Sequence, residues 1–413
     1  MSITNPPRSS LWRNTDYLLL WSGQTVSAIG SQLSGFVLPL LVLVLTGSPA
    51  QAGLIGALEG VPYLVLSLPA GALADRWNRK SIMIVCDAVR AVNMFSVPLA
   101  FVTHHLSLPH LYAVALIEGS LFVFFNVAET ASLIRVVGHD QLPSAIARQE
   151  TTWGISALVG PAAAGFLYQA ASAALPFLAD GCSYALSAVS LTAIRTPFQA
   201  EPEEQPVSLV EGTREALAWL WRQPLLRIIV AISAAGDLLF SGIGLIPMVI
   251  ARQEMHARPL AIGLIFTLAA IGAIAGSSVA GAIRRRVRFS VGVIGTEWIV
   301  ALLYPLLALA PNPLALGLIR SGMSATVSVS NTYRLSYQIG SIPDALQGRV
   351  NSLTTLIAYG SLPVGEALTG VMLQTIGPTS TVLAIAGCVI LLATATTVSR
   401  HVRQASVPVT GGS

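Results

Sequence analysis

The chain has 413 residues, of which 54% are apolar and 10% charged, with a mean hydropathy of +0.70 and a net charge of +4. Soluble domains carry about 25% charged residues, and a soluble globule of this length cannot hide such an apolar excess. The composition therefore excludes a water-soluble fold and makes lipid the solvent. The positive charge is no nucleic-acid signal, because the basic residues sit in short loops between apolar stretches, where they set topology.

A membrane span needs about 20 mainly apolar residues. In chain order, residues 1–10 are polar, without the apolar core and small-residue cleavage site of a signal peptide. Twelve predicted spans follow, at 17–45, 51–74, 81–103, 108–136, 144–172, 175–195, 224–250, 259–283, 289–310, 313–339, 344–375 and 378–399. The fifth opens with Arg148, Gln149 and Glu150 in its first turns, which are expected in water. Between the sixth and seventh spans, residues 196–207 are rich in Pro and Glu. Leu209, Thr213, Leu217 and Leu220 then recur at helical spacing, which predicts an interfacial helix over 208–222. The expected organisation is a six-helix bundle at 1–195, a linker at 196–223 and a second bundle at 224–413.

Orientation follows from the loops. With the N-terminus inside, 19 basic residues, Arg334 among them, fall on the cytoplasmic side and only Arg252 and Arg258 outside, so both termini are expected in the cytoplasm of the cell (plasma) membrane. Cys86, Cys182 and Cys388 lie inside spans without metal-ligand spacing and are expected as packing thiols, with no disulfide. No phosphate-cradling loop and no His or Cys array is present, so no cofactor, no metal site and no enzyme is expected.

The halves repeat. Gly53 matches Gly263 and Gly71 matches Gly281 at an offset of 210, where Asp87 also meets Glu297. At an offset of 202, Glu118 meets Arg320, Thr130 meets Thr332 and Gly138 meets Gly340. Two parallel six-span repeats joined by a linker are a transporter architecture, with the binding site near the midplane between the halves.

Gly71, Asp75, Arg76, Asn78, Arg79 and Lys80 between spans two and three resemble the loop signature of the major facilitator superfamily, with Asn78 where glycine is usual. Asparagine tolerates the left-handed conformation better than most residues. Gly160, Pro161 and Gly165 are similar to the glycine–proline motif of its antiporters. Trp21, Gly23 and Gln24, then Asp87 and Arg90, then the run from Ile342 to Arg349, resemble the drug–proton antiporter subgroup of macrolide-efflux and siderophore-export proteins. The resemblance implies an all-α integral membrane protein, twelve transmembrane helices in two pseudo-symmetric bundles. The expected function is export of a small amphiphilic compound against protons by alternating access, by a monomer, although the resemblance itself does not name the substrate. Alternatives are import or uniport of a metabolite, a non-transporting sensor or scaffold, and a lipid-acting membrane enzyme.

Charges inside a bilayer cost about 2.5–3.5 kcal/mol each and so need a partner, a water path or a proton. Here they are Glu59, Asp87, Arg90, Glu118, Asp180, Asp237, Glu297, Arg320 and Glu366. At about 1.5 Å per residue, Glu59, Glu118 and Asp237 sit roughly 12–20 Å from a span end, near the middle of the core. Glu118 is the expected proton carrier, with Glu59 or Asp237 as alternates. Arg320, its repeat mate of opposite charge, is the expected partner, either in competition with the proton or as a static bridge. Asp87 and Arg90, three residues apart on one helix face, form an expected structural pair or inner-gate contact, with Glu297 in the matching role. Gly71, Asp75, Arg76 and Arg79 resemble the gating loop, in which Asp75 is expected to cap a neighbouring helix N-terminus and bridge to arginine, holding the inner side shut, or else the basic residues only fix orientation. Gly160, Pro161, Gly165, Pro363 and Gly365 allow close packing or a hinge. Gln24, Gln32, Asn126, Tyr333 and Tyr359 are candidate cavity residues.

Overall fold

The computed structural model describes residues 11–199, 217–342 and 344–404. Among them are twelve helices of 15 residues or more and no strand. They are α1 (Thr15–Thr46), α2 (Pro49–Arg76), α3 (Arg79–Val102), α4 (Leu108–Val137), α5 (Leu142–Ala170), α6 (Leu175–Ala193), α7 (Pro224–Ser241), α8 (Pro259–Arg286), α9 (Phe289–Leu303), α10 (Pro313–Ser341), α11 (Asp344–Ile376) and α12 (Pro378–Val398). Each overlaps one expected span. Of the interfacial helix expected over 208–222, residues 217–222 are helical and the remainder lies outside the described residues.

Helix is the element in which a chain satisfies every backbone polar group within lipid. Nine helical segments among the described residues are long and apolar enough to cross a membrane. The exceptions are α5, α6 and α10, with Arg148, Gln149 and Glu150 in α5 and Arg320 and Arg334 in α10. Proline opens α4, α5, α6, α7, α8, α10 and α12, where its missing N–H would have had no helical partner.

The seventh span breaks after Ser241 and resumes as a short helix, Leu245–Val249, followed by a wide turn, Ile250–Glu254. Gly242 stands at the break, and a side chain there would collide with Thr369 of α11. The break frees a carbonyl at Ile243, which accepts from Arg320 Nη1.

The chain divides into two compact units, residues 1–37 with 65–203 and residues 38–64 with 204–413. In the first, α3 packs on α6 and α4, over a core of Tyr17, Leu20, Met83, Phe125, Leu191 and Phe198. In the second, α8 lies along α10 and α7 packs on α11. Gly272 and Gly276 of α8 meet the backbone of Ser321 and Ala325, so the two helices approach more closely than any side chain would allow. All three thiols are free, with Cys86 buried and Cys182 and Cys388 exposed, so only Cys86 is a core packing thiol.

Candidate functional site

The first unit carries a buried polar network across α1, α3, α4 and α6. Arg90 of α3 donates through Nε to Glu118 Oε1 at 2.7 Å and through Nη2 to the same oxygen. Tyr184 Oη of α6 donates to that oxygen at 2.7 Å, accepts from Arg90 Nη2 and lies 2.7 Å from Ser31 Oγ of α1. The guanidinium also stacks 4.0 Å from the Tyr184 ring. Three donor atoms thus converge on Glu118 Oε1, while Oε2 is buried and accepts no hydrogen bond.

Asp87, one turn before Arg90, is wholly buried. It lies 3.9 Å from Arg90 Nη1, with the Ser187 hydroxyl of α6 as a hydrogen-bonding neighbour. Arg90 therefore stands between two carboxylates and bonds closely to only one. The expected Asp87–Arg90 pair is present but secondary. Asp180 of α6, also wholly buried, accepts from Ser34 at 2.5 Å and Ser183 at 3.1 Å. Gln24 Nε2 donates to Ser187 Oγ at 3.1 Å, and Asn126 Oδ1 accepts from Thr130 at 3.4 Å. Gln32 of α1 packs against Gly160, which with Pro161 and Gly165 is buried in α5.

The sequence reading paired Arg320 with Glu118. The structure instead gives each a partner in its own unit, Arg90 for Glu118 and the freed Ile243 carbonyl for Arg320. A carbonyl exposed by a helix break is not visible to a repeat alignment, which matches side chains alone.

Two further residues escaped the sequence reading. Tyr184 carried no signal beyond being a polar aromatic in an apolar span. Glu129 of α4 accepts from Gln149 Nε2 of α5 at 3.1 Å. It follows Glu118 by eleven residues, three turns along the same helix face, and that spacing was the available clue.

At the α2–α3 turn, Arg79 donates to Ala74 O at 3.0 Å and to Ala131 O of α4 at 2.9 Å, tying three helices together. Its pairing with Asp75 is 3.6 Å long and Asp75 is exposed, so this ion pair contributes little. Arg76 is exposed. The cap of α3 is Asn78, which accepts from Ser81 N at 3.1 Å in an extended conformation (φ −63°), not the left-handed one the glycine comparison suggested. Nor does Asp75 cap the helix; Asn78 takes that place. Gly71 has open space where a side chain would project, so it marks no close approach.

The second unit has its own pair. Arg334 of α10, which the sequence reading placed among the cytoplasmic basic residues, donates to Glu297 of α9 and also reaches Ser233 of α7 at 3.4 Å. Asp237, half-buried, follows Ser233 by one turn and lies in the field of Arg334. The two repeats thus bridge equivalent helices with opposite polarity. Arginine stands on α3 and glutamate on α4 in one; glutamate stands on α9 and arginine on α10 in the other.

Tyr333, expected at a cavity, is instead 1% exposed. Its ring covers Gly292, and its hydroxyl donates to Val287 O at 3.2 Å. Tyr359 is exposed and stacks on Tyr63 with centroids 4.4 Å apart. Within this unit the first half of α2 meets α11. Gly53 faces Gly370, Gly60 faces Pro363, and Glu366 Oε2 occupies the space that a side chain at Gly56 would need. Glu59 is half-buried on the same stretch of α2. Gly365 packs on Ser241 and on the carbonyl of Leu238.

Twelve long helices in two repeats, with paired charges held inside each, define a multi-pass membrane transporter of the major facilitator fold. The family model described as transmembrane secretion effector matches residues 9–408, and the chain belongs to that family. It is similar to the multidrug efflux pump Tap of Mycobacterium tuberculosis, 24% identical over 403 residues that cover 91% of this chain and 90% of Tap. It is also similar to the enterobactin exporter EntS of Shigella flexneri, 26% identical over 353 residues, 84% of this chain and 82% of EntS. Among solved structures, the nucleoside transporter NupG superposes with a TM-score of 0.74 at 15% identity, over 93% of this chain and 98% of NupG. A bacterial homologue of the iron transporter ferroportin in an inward-facing state gives 0.75 at 14% identity, over 94% of this chain and 99% of that one. The family's cargo is a small molecule.

Proposed function

We propose that this protein exports a small amphiphilic compound in exchange for protons, with Glu118 as the proton-carrying group. The observation that carries this reading is the divided environment of Glu118, with one oxygen claimed by Arg90 and Tyr184 and the other buried without a partner. A proton added at Oε2 removes the charge that holds Arg90, and Asp87 stands ready 3.9 Å away to receive the guanidinium. A cationic cargo offers the alternative partner for the carboxylate, so proton and cargo displace one another. The gradient supplies about 1.36 kcal/mol per pH unit and about 2.3 kcal/mol per charge per 100 mV.

In this reading the bundles 1–195 and 224–413 rock about a central site, joined by 196–223. Arg79 latches α2, α3 and α4 on the inner side, and Arg334 with Glu297 does the same work in the second repeat. Asp237, Glu59 and Glu366 are secondary proton sites. The protein acts as a monomer in the plasma membrane, with both termini in the cytoplasm, as its loop arginines favour. The names of Tap, a multidrug efflux pump, and EntS, an enterobactin exporter, support export.

The test is reconstitution into liposomes and a flux screen of antibiotics, dyes and siderophores under an imposed pH gradient. At least one compound is expected to move only when the gradient is present. Flux unaffected by collapsing the gradient would point to uniport and remove the proton from the mechanism.

A further inference from the structure

The turn between α8 and α9 carries Arg284, Arg285, Arg286 and Arg288, all exposed. Among the described residues none of the four takes part in an ion pair. Their backbone is fixed from beneath. Tyr333 Oη holds the Val287 carbonyl at 3.2 Å, and the Tyr333 and Tyr337 rings pack on Phe289, with centroids 6.2 and 5.0 Å away. The terminal helical turn Arg400–Arg403 sits at the same end of this unit, its Val402 sharing one core cluster with Phe289, Tyr333 and Leu220. It adds the exposed Arg400 and Arg403. Trp221, 66% exposed, stands beside this cluster with Arg227 stacked 5.3 Å from its ring.

Depth identifies the occupant. α8 has 28 residues, or about 42 Å at 1.5 Å per residue, against a hydrocarbon core about 30 Å thick. Its last turn therefore lies at the headgroup layer, where an exposed tryptophan is also at home. A cluster of arginines at that level, with no carboxylate among the described residues paired to it, is more complementary to the phosphates of anionic lipid than to zwitterionic headgroups.

We propose that Arg284, Arg285, Arg286 and Arg288, flanked by Arg400 and Arg403, form a binding site for anionic phospholipid headgroups. The site is independent of the cargo and coupling assigned above, and its test reads lipid binding, not transport. Purified full-length protein in neutral detergent is titrated with phosphatidylglycerol, phosphatidylcholine and inorganic phosphate, and bound lipid is counted by native mass spectrometry. Wild type is expected to hold phosphatidylglycerol at least about tenfold more tightly than phosphatidylcholine, with salt weakening the preference and inorganic phosphate failing to compete. Changing the four arginines to glutamine (R284Q, R285Q, R286Q, R288Q) is expected to abolish the preference. Changing them to lysine keeps charge and topology and is expected to retain most of it, which separates lipid binding from a role in insertion alone. Equal binding of the two lipids by wild type, a preference that survives the glutamine changes, or displacement by free phosphate would each overturn the site.

Discussion

Arg90 and Glu118 meet through a single carboxylate oxygen, so the α3–α4 bridge is closed on one side of Glu118 and open on the other. This asymmetry gives the buried pair a chemical use. A symmetric, doubly bonded carboxylate would be a static strut. One with an unclaimed buried oxygen has a place for a proton.

Removing Arg90 leaves Asp87 and Glu118 buried without a cation. Breaking a buried pair from one side costs about 3–5 kcal/mol. Arg90→Ala is therefore expected to lower the melting temperature in detergent markedly, and Arg90→Ala with Glu118→Gln to recover part of the loss. Thermal unfolding of wild type and the two variants side by side measures this.

Tyr184 accepts from Arg90, donates to Glu118 and bonds to Ser31, so Tyr184→Phe removes one hydroxyl and three hydrogen bonds while keeping the ring. The expected loss is about 1–3 kcal/mol of stability. Gradient-driven flux is expected to slow but persist, because Glu118 keeps Arg90. Initial rates in proteoliposomes, normalised to folded protein, check the second part.

Asn78 caps α3, and its extended backbone explains why asparagine stands where the superfamily's loop carries glycine. Asn78→Ala is expected to cost about 1 kcal/mol, while Asn78→Gly costs only a few tenths. Had a left-handed turn been required, glycine would have stabilised the loop. The ordering of the two variants in a melting experiment decides between these accounts.

Glu366 fills the space beside Gly56, so a methyl group there must displace the carboxylate. Gly56→Ala is expected to cost about 1–3 kcal/mol through overpacking. Adding Glu366→Ala should restore most of it, because contacting residues couple. A double variant no more stable than Gly56→Ala alone would deny the contact.

Much of this was legible in the sequence, because lipid imposes one periodicity and one length on every span. Ten of the twelve helices fell within a few residues of their predicted limits, the exceptions being α7 and α9, which end early at Ser241 and Leu303, and proline marked many of the starts. The break in α7 was not legible, since Gly242 and Gly244 read equally well as small residues within a continuous helix. That single omission also concealed the partner of Arg320, a backbone carbonyl released by the break. Charge positions were readable, but their pairings were not. Glu118 was found from depth alone, whereas its bond to Arg90 depends on how α3 turns against α4. Arg334 stands close to a helix end, where arginines are ordinarily solvated, so its bond to Glu297 left no sign in the sequence. Tyr333 went the other way: it looked like a wall of a cavity and proved to be a core residue seated over Gly292.

The most direct measurement compares wild type and Glu118→Gln in proteoliposomes loaded to respond to a pH jump, with ethidium as the cationic reporter. Wild type should concentrate the dye against its own gradient. The glutamine form should still equilibrate labelled for unlabelled dye across the bilayer but gain no uphill accumulation, at any pH imposed. Undiminished pumping by Glu118→Gln would mean that the proton travels elsewhere and that the Arg90–Glu118 bridge is only a brace.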